Sequence, residues 1–133
     1  GTKAAPLLLE CLAGAPCNHC YIWMQHAGGA VADKEPTATA FDARALEWSV
    51  VMTSCWPKAQ AESLQPKCEA WCRGLVTALT PMSVGLYPTD LGPADVKEAK
   101  ECYYTNRQRL VALKKEWDPK NTFRCGFPLL ESS

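Results

Sequence analysis

The stretch "LEWSVVMTSCW", residues 46–56, decides the fold. Trp48, Val50, Met52 and Ser54 alternate with Ser49, Val51, Thr53 and Cys55, and β-forming residues dominate, so this is a strand. Pro57, without an N–H, ends it. A second such run lies upstream in "CYIWMQHAGGAV", residues 20–31. Here Tyr21, Trp23 and Gln25 alternate with Ile22, Met24 and His26. Both sets are largely apolar, as expected of a strand covered on both faces. Gly28 and Gly29 then permit a bend or bulge. The polar connection "DKEPTATAF" follows, with Pro36 unsuited to a central strand.

Downstream, the period changes from two to that of a helix. In "QPKCEAWCRGLVTALTP", residues 65–81, Pro66 suits a first helical turn, and Cys68, Trp71, Cys72, Leu75 and Leu79 share one face. Pro81 stops the helix. "SVGLYPTDLGP" reads as a short strand running into a turn. Pro93 then opens a last helix, with Asp95 near its positive end. Val96, Ala99, Cys102 or Tyr103, Asn106, Leu110, Leu113 and Trp117 repeat with helical spacing. The pattern predicts one long amphipathic element closed by Asp118-Pro119. Residues 1–20 are irregular in pattern. The expectation is a single α+β domain over residues 1–133, with a small antiparallel sheet packed on one face by two main helices.

At 133 residues the chain has the length of one ordinary domain. Fourteen basic residues balance 14 acidic ones, so no global field attracts nucleic acid or an anionic membrane. Arg107, Arg109, Lys114 and Lys115 read as the solvated face of a helix. No apolar run approaches the roughly 18 residues that span a bilayer. "APLLLECLAGA", residues 5–15, is too short and makes a poor signal peptide. A first residue of Gly rather than Met points to processing or to sequence upstream.

Eight cysteines are present: Cys11, Cys17, Cys20, Cys55, Cys68, Cys72, Cys102 and Cys125. They permit disulfides or buried thiols alike, and leave the compartment open, an organelle lumen or secretory compartment included. "CNHC", Cys17 to Cys20, has the spacing of half a zinc site, for which Cys68 and Cys72 could supply a second pair. Structural sites more often use a knuckle than a helical i, i+4 pair, and both residues suit plain burial as small hydrophobes. A structural disulfide involving Cys17 or Cys20 is the expectation, and no metal site is assigned. His19 and His26 have no nucleophile and acidic partner in a local motif. Gly28-Gly29 lacks the spacing of a phosphate loop. Asn106 is discordant on an otherwise apolar face: its amide must bond a ligand or a neighbouring carbonyl.

Three stretches in order carry a resemblance. "QHAGGAVADKEPTATAFDAR", residues 25–44, "WCRGLVTALTPMSVGLY", residues 71–87, and "YYTNRQRLVALKKEWDPKNTFR", residues 103–124, resemble the carboxy-terminal part of the berberine bridge enzyme-like family of FAD-linked oxidases. The resemblance covers roughly residues 21–127. It implies the end of a two-domain plan, in which one domain binds FAD and the other forms an antiparallel sheet with helices on the substrate side. It also implies a catalytic role for Tyr87 if the protein is an enzyme, and contacts from Tyr104 and Asn106 to a flavin held by a partner chain. "GLYPTDLG" keeps Tyr87, Asp90, Leu91 and Gly92 without the family's intervening Asn-Tyr segment.

The flavin-binding portion lies outside these residues, so no cofactor is expected in this chain alone. The leading expectation is a noncatalytic module, acting as a structural or accessory subunit of a larger assembly with one or more protein partners. Trp117, Phe123 and Phe127 are its candidate interface. The alternatives are the substrate-side portion of an FAD-dependent oxidoreductase that works with a separate flavin-binding chain, and a small disulfide-stabilised binding domain.

Overall fold

Alternating side chains make both strands, and both form. In the computed structural model, which describes residues 3–91, 102–103 and 105–123, β1 (Cys20–His26) pairs antiparallel with β2 (Trp48–Ser54). The register sets Cys20 opposite Ser54, Ile22 opposite Met52 and His26 opposite Trp48. The α+β architecture with a small antiparallel sheet is the one expected. The double cover expected of β1 is not seen. Tyr21, Trp23 and Met24 are exposed, as is Trp48. Alternation reports the pleat and not how many layers cover it, and a sheet of two strands leaves much of its surface open.

The chain divides into two compact units, Gly1–His26 with Glu47–Ser83, and Ala27–Leu46 with Val84–Ser133. The first unit holds the sheet and two helices, α1 (Ala4–Ala13) and α2 (Ala61–Leu79). Helix α1 replaces the irregular segment expected over residues 1–20. Its run of Ala, Leu and Glu has high helix propensity, while Lys3 offers no side-chain cap, so the usual start signal is missing. Gly14 closes it by donating to the carbonyls of Glu10 and Cys11, both at 3.1 Å.

The apolar stripe read for α2 is its inward face: Cys68 and Leu75 are buried, with Trp71, Cys72 and Leu79 half-buried. The helix begins at Ala61, however, so Pro66 lies inside it rather than in its first turn. A short 3-10 turn over Lys58–Gln60 leads the chain into the helix early. Pro66 therefore removes one early backbone bond. The helix ends at Leu79, before Pro81 as expected.

The indole N–H of Trp71 donates to the Cys11 carbonyl at 2.8 Å, fastening α2 to the last turn of α1. Trp71→Phe keeps most of the apolar surface and loses this bond. Because the Gly14 N–H still satisfies that carbonyl, the expected cost is about 1 kcal/mol, readable as a lower midpoint in urea unfolding. No change would show that the bond contributes nothing beyond ring packing.

The second unit is built on a polar loop and one described helix, α3 (Arg107–Trp117). Residues 83–87 form no strand; a 3-10 turn follows at Pro88–Asp90. Gly85 at φ 158 and Pro88, which has no N–H, explain the difference. Nor does a single helix run unbroken into Trp117. Residues 102–103 and 105–106 are turns, Tyr103 has φ 65, and α3 starts only after Asn106. A left-handed residue with a side chain is unfavourable within a helix, so the periodic pattern bridges an interruption. The start expected at Pro93 lies outside the described residues. The stop at Asp118-Pro119 is where the pattern placed it. No described helix is long and apolar enough to cross a membrane.

Candidate functional site

The second unit gathers most of the residues that the sequence singled out. After Gly29, whose φ of 62 requires a residue without Cβ strain, the chain runs irregularly through residues 32–46. Arg44 organises this loop from within. Its Nη1 donates to the Val31 carbonyl at 3.2 Å, its Nη2 donates to the Thr39 hydroxyl, and its guanidinium carbon lies 5.1 Å from the Phe41 ring centroid. A cation held over an aromatic face contributes on the order of 0.5–1 kcal/mol at an exposed site. The Arg44 Nε is buried without a hydrogen-bond partner among the described residues.

This loop is bound to the start of α3. The Asp42 carboxylate accepts from the Thr105 backbone N–H at 2.7 Å, and Arg109 donates to the Thr37 carbonyl at 3.2 Å. Between them sits Asn106, only 5% exposed. Its amide nitrogen donates to the carbonyls of Pro36 at 2.8 Å and Thr39 at 2.9 Å. Of the two roles open to this buried amide, bonding to neighbouring carbonyls is the one realised here.

Tyr87 meets the same loop. Its ring stands edge-on to Phe41, with centroids 5.7 Å apart at 87°, and the residue is 49% exposed. Tyr103 is more enclosed: burial pushes its phenol pKa up, and the neighbouring Cys102 and Tyr87 add to the shift. Beside Asn106 lies a concavity of about 100 Å³, lined by Ala38, Thr39, Ala40, Arg109, Leu110 and Leu113. Cofactor pockets commonly enclose about 300–1,000 Å³. Tyr104 lies outside the described residues.

The tail after α3 turns on Asp118. Its carboxylate accepts from the Lys114 ammonium and from the backbone N–H groups of Thr122 at 2.7 Å and Phe123 at 3.0 Å. The Lys114 bond chiefly, with the two N–H bonds, holds its pKa down from 3.8 to about 2. Lys114 also donates to the Phe123 carbonyl at 2.6 Å. Asn121 completes the turn at φ 50 and donates its N–H to the Asp118 carbonyl at 2.9 Å. The Asp-Pro-x-Asn-x-Phe spacing thus has a physical basis. Asp collects donors, Pro stops the helix, and Asn tolerates the left-handed residue. Trp117 and Phe123 are 79% and 81% exposed. Phe127, the third candidate interface residue, lies outside the described residues.

In the first unit the cysteines correct one expectation. Cys11, Cys17, Cys20, Cys55, Cys68 and Cys72 are free thiols, so the disulfide expected at Cys17 or Cys20 is not formed. Instead, Cys17 and Cys20 stand 3.6 Å apart at sulfur, and Cys20 and Cys68 stand 3.9 Å apart. A backbone N–H bond from His19 lowers the Cys17 pKa, whereas burial pushes Cys68 up and takes Cys20 to about 12. Cys72, one helical turn on, turns instead to the Ser54 hydroxyl at 3.5 Å.

Sequence reasoning missed Asp42 and Arg44 as anchors, because loop residues have no periodicity that reveals partners. Asp118 was visible only as a helix stop, not as the acceptor of three bonds. Its signal was the polar run Asp-Pro-x-Asn, in which a carboxylate precedes free backbone N–H groups.

Residues 89–126 match the family model described as "Berberine and berberine like". The chain is also similar to "Uncharacterized FAD-linked oxidoreductase YgaK" of Bacillus subtilis (strain 168), with 29% identity over 127 residues. That alignment takes in 92% of this chain but 26% of the relative, so the chain spans about a quarter of that protein's length.

Proposed function

We infer that this chain, which carries a berberine bridge enzyme-like carboxy-terminal segment, supplies part of the substrate side of an FAD-linked oxidoreductase. The observation that carries this reading is the alignment of 92% of this chain with about a quarter of an FAD-linked relative. FAD is held by sequence outside these 133 residues, on the same polypeptide or on a partner chain. The described residues contribute a frame. Asn106, Asp42 and Arg109 fix the loop 36–44 against α3, and the Asp118 turn directs the tail. Trp117 and Phe123 offer their exposed apolar surface to the flavin-binding portion.

Tyr87, exposed beside Phe41, is the residue we assign to act on substrate. In the intact flavoprotein, Tyr87→Phe should leave flavin content unchanged and slow substrate turnover by about 100-fold or more, the usual range for loss of a general acid or base. Unchanged turnover would confine Tyr87 to its packing on Phe41.

A second reading, a noncatalytic accessory subunit, is favoured by one specific observation. The Asn106 amide is already committed to two carbonyls. A stable native complex containing this chain and no flavin would establish that reading in place of the first.

A further inference from the structure

We propose that Cys17, Cys20 and Cys68 form a binding site for a thiophilic cation of the zinc class, which ties the turn before β1 to α2. The three sulfurs lie within 4.8 Å of one another, with two separations of 3.6 Å and 3.9 Å. Tetrahedral coordination with metal–sulfur bonds of about 2.3 Å places ligand sulfurs about 3.8 Å apart. The Cys17–Cys20 and Cys20–Cys68 edges match that figure. They are far longer than a disulfide bond of about 2.05 Å, and Cys20, within 3.9 Å of both neighbours, could bond only one of them.

The elements holding the three sulfurs are of the right kind. Cys17 and Cys20 flank a tight turn, closed by the Cys20 N–H donating to the Cys17 carbonyl at 3.2 Å. This is a knuckle, with both thiols curling to one side. Cys68 meets it from α2 with its side chain fully buried, so the third ligand is preplaced by helix packing. Plain burial of small hydrophobic thiols explains Cys68. It does not explain why two partly exposed cysteines converge on it.

Three thiolates leave one coordination position for water or an exogenous ligand. Binding displaces thiol protons, so affinity rises with pH. The site is remote in sequence from the berberine-like match at residues 89–126 and independent of the flavin reading.

The test uses the intact polypeptide purified under reducing conditions, with Zn²⁺ and Co²⁺ as probes. The proposal expects one equivalent of Zn²⁺ per chain, retained against a chromophoric chelator, and a sulfur-to-cobalt charge-transfer band with Co²⁺. Cys17→Ser should abolish both while leaving the circular dichroism spectrum intact, as should Cys68→Ser, and Cys11→Ser should preserve both. Three results would overturn the proposal: no uptake by the reduced protein, uptake that survives Cys17→Ser and Cys68→Ser, or a native Cys17–Cys20 disulfide in unreduced peptide maps.

Discussion

Asn106→Asp is expected to destabilise the intact protein by about 3 kcal/mol, more than the about 2 kcal/mol expected of Asn106→Ala. The amide nitrogen at this position satisfies two carbonyls, of Pro36 and Thr39. Ala leaves both without that donor, but Pro36 and Thr39 are themselves exposed, so water recovers part of the loss. An ionised carboxylate of the same shape instead presents oxygen to oxygen in a site only 5% exposed. Burial and the facing carbonyl dipoles then favour the protonated acid, which can donate one bond. The difference between Asn106→Asp and Asn106→Ala should therefore shrink as the pH is lowered through the carboxylate range. Urea unfolding at neutral and acid pH measures both. Equal effects at every pH would show that the site reads volume and not hydrogen-bond polarity.

Asp118→Asn should produce the second large effect, a fall of several degrees in Tm at neutral pH, with loss of the acid limb of stability. The native carboxylate accepts from Lys114 and from two backbone N–H groups. An amide keeps one acceptor oxygen and turns an NH2 group toward donors. The sign follows from the depressed pKa. A carboxyl held near about 2 in the folded protein, against 3.8 ordinarily, contributes stability that is fully present above the ordinary value and is lost as pH falls from about 4 toward 2. The wild-type Tm should drop through that window, and the Asp118→Asn profile should be flatter there. Parallel profiles would show that the Asp118 charge is not what holds the tail.

The elements legible in the sequence are those whose side chains report their own surroundings. Strand β2 alternates, the face of α2 repeats at helical spacing, and Asp118-Pro119 cannot continue a helix. The N-terminal helix was hidden because Lys3 provides no side-chain cap, leaving propensity alone to signal it. The break before α3 was hidden for the opposite reason. Apolar spacing continues across Tyr103, while its left-handed backbone is set by contacts that the spacing does not encode. Asn106 was recognisable as discordant, yet its partners, 67 and 70 residues away, were not legible. Among the cysteines, the i, i+4 spacing placed Cys68 and Cys72 on one face. Only the fold shows that Cys68 meets the "CNHC" turn and Cys72 meets Ser54.

The family-like residues of this chain therefore act first on one another: Arg44 on Phe41, Asn106 on the loop that precedes it, Asp118 on the tail. Such a frame gives the berberine-like segment a defined shape, and under the proposed function it leaves redox chemistry to a cofactor. The most direct test is the visible absorption spectrum of the native protein, captured from its source through this chain and resolved by mass spectrometry. The account predicts a flavin spectrum at one flavin per copy of the chain. A colourless, stoichiometric preparation containing these residues would contradict it.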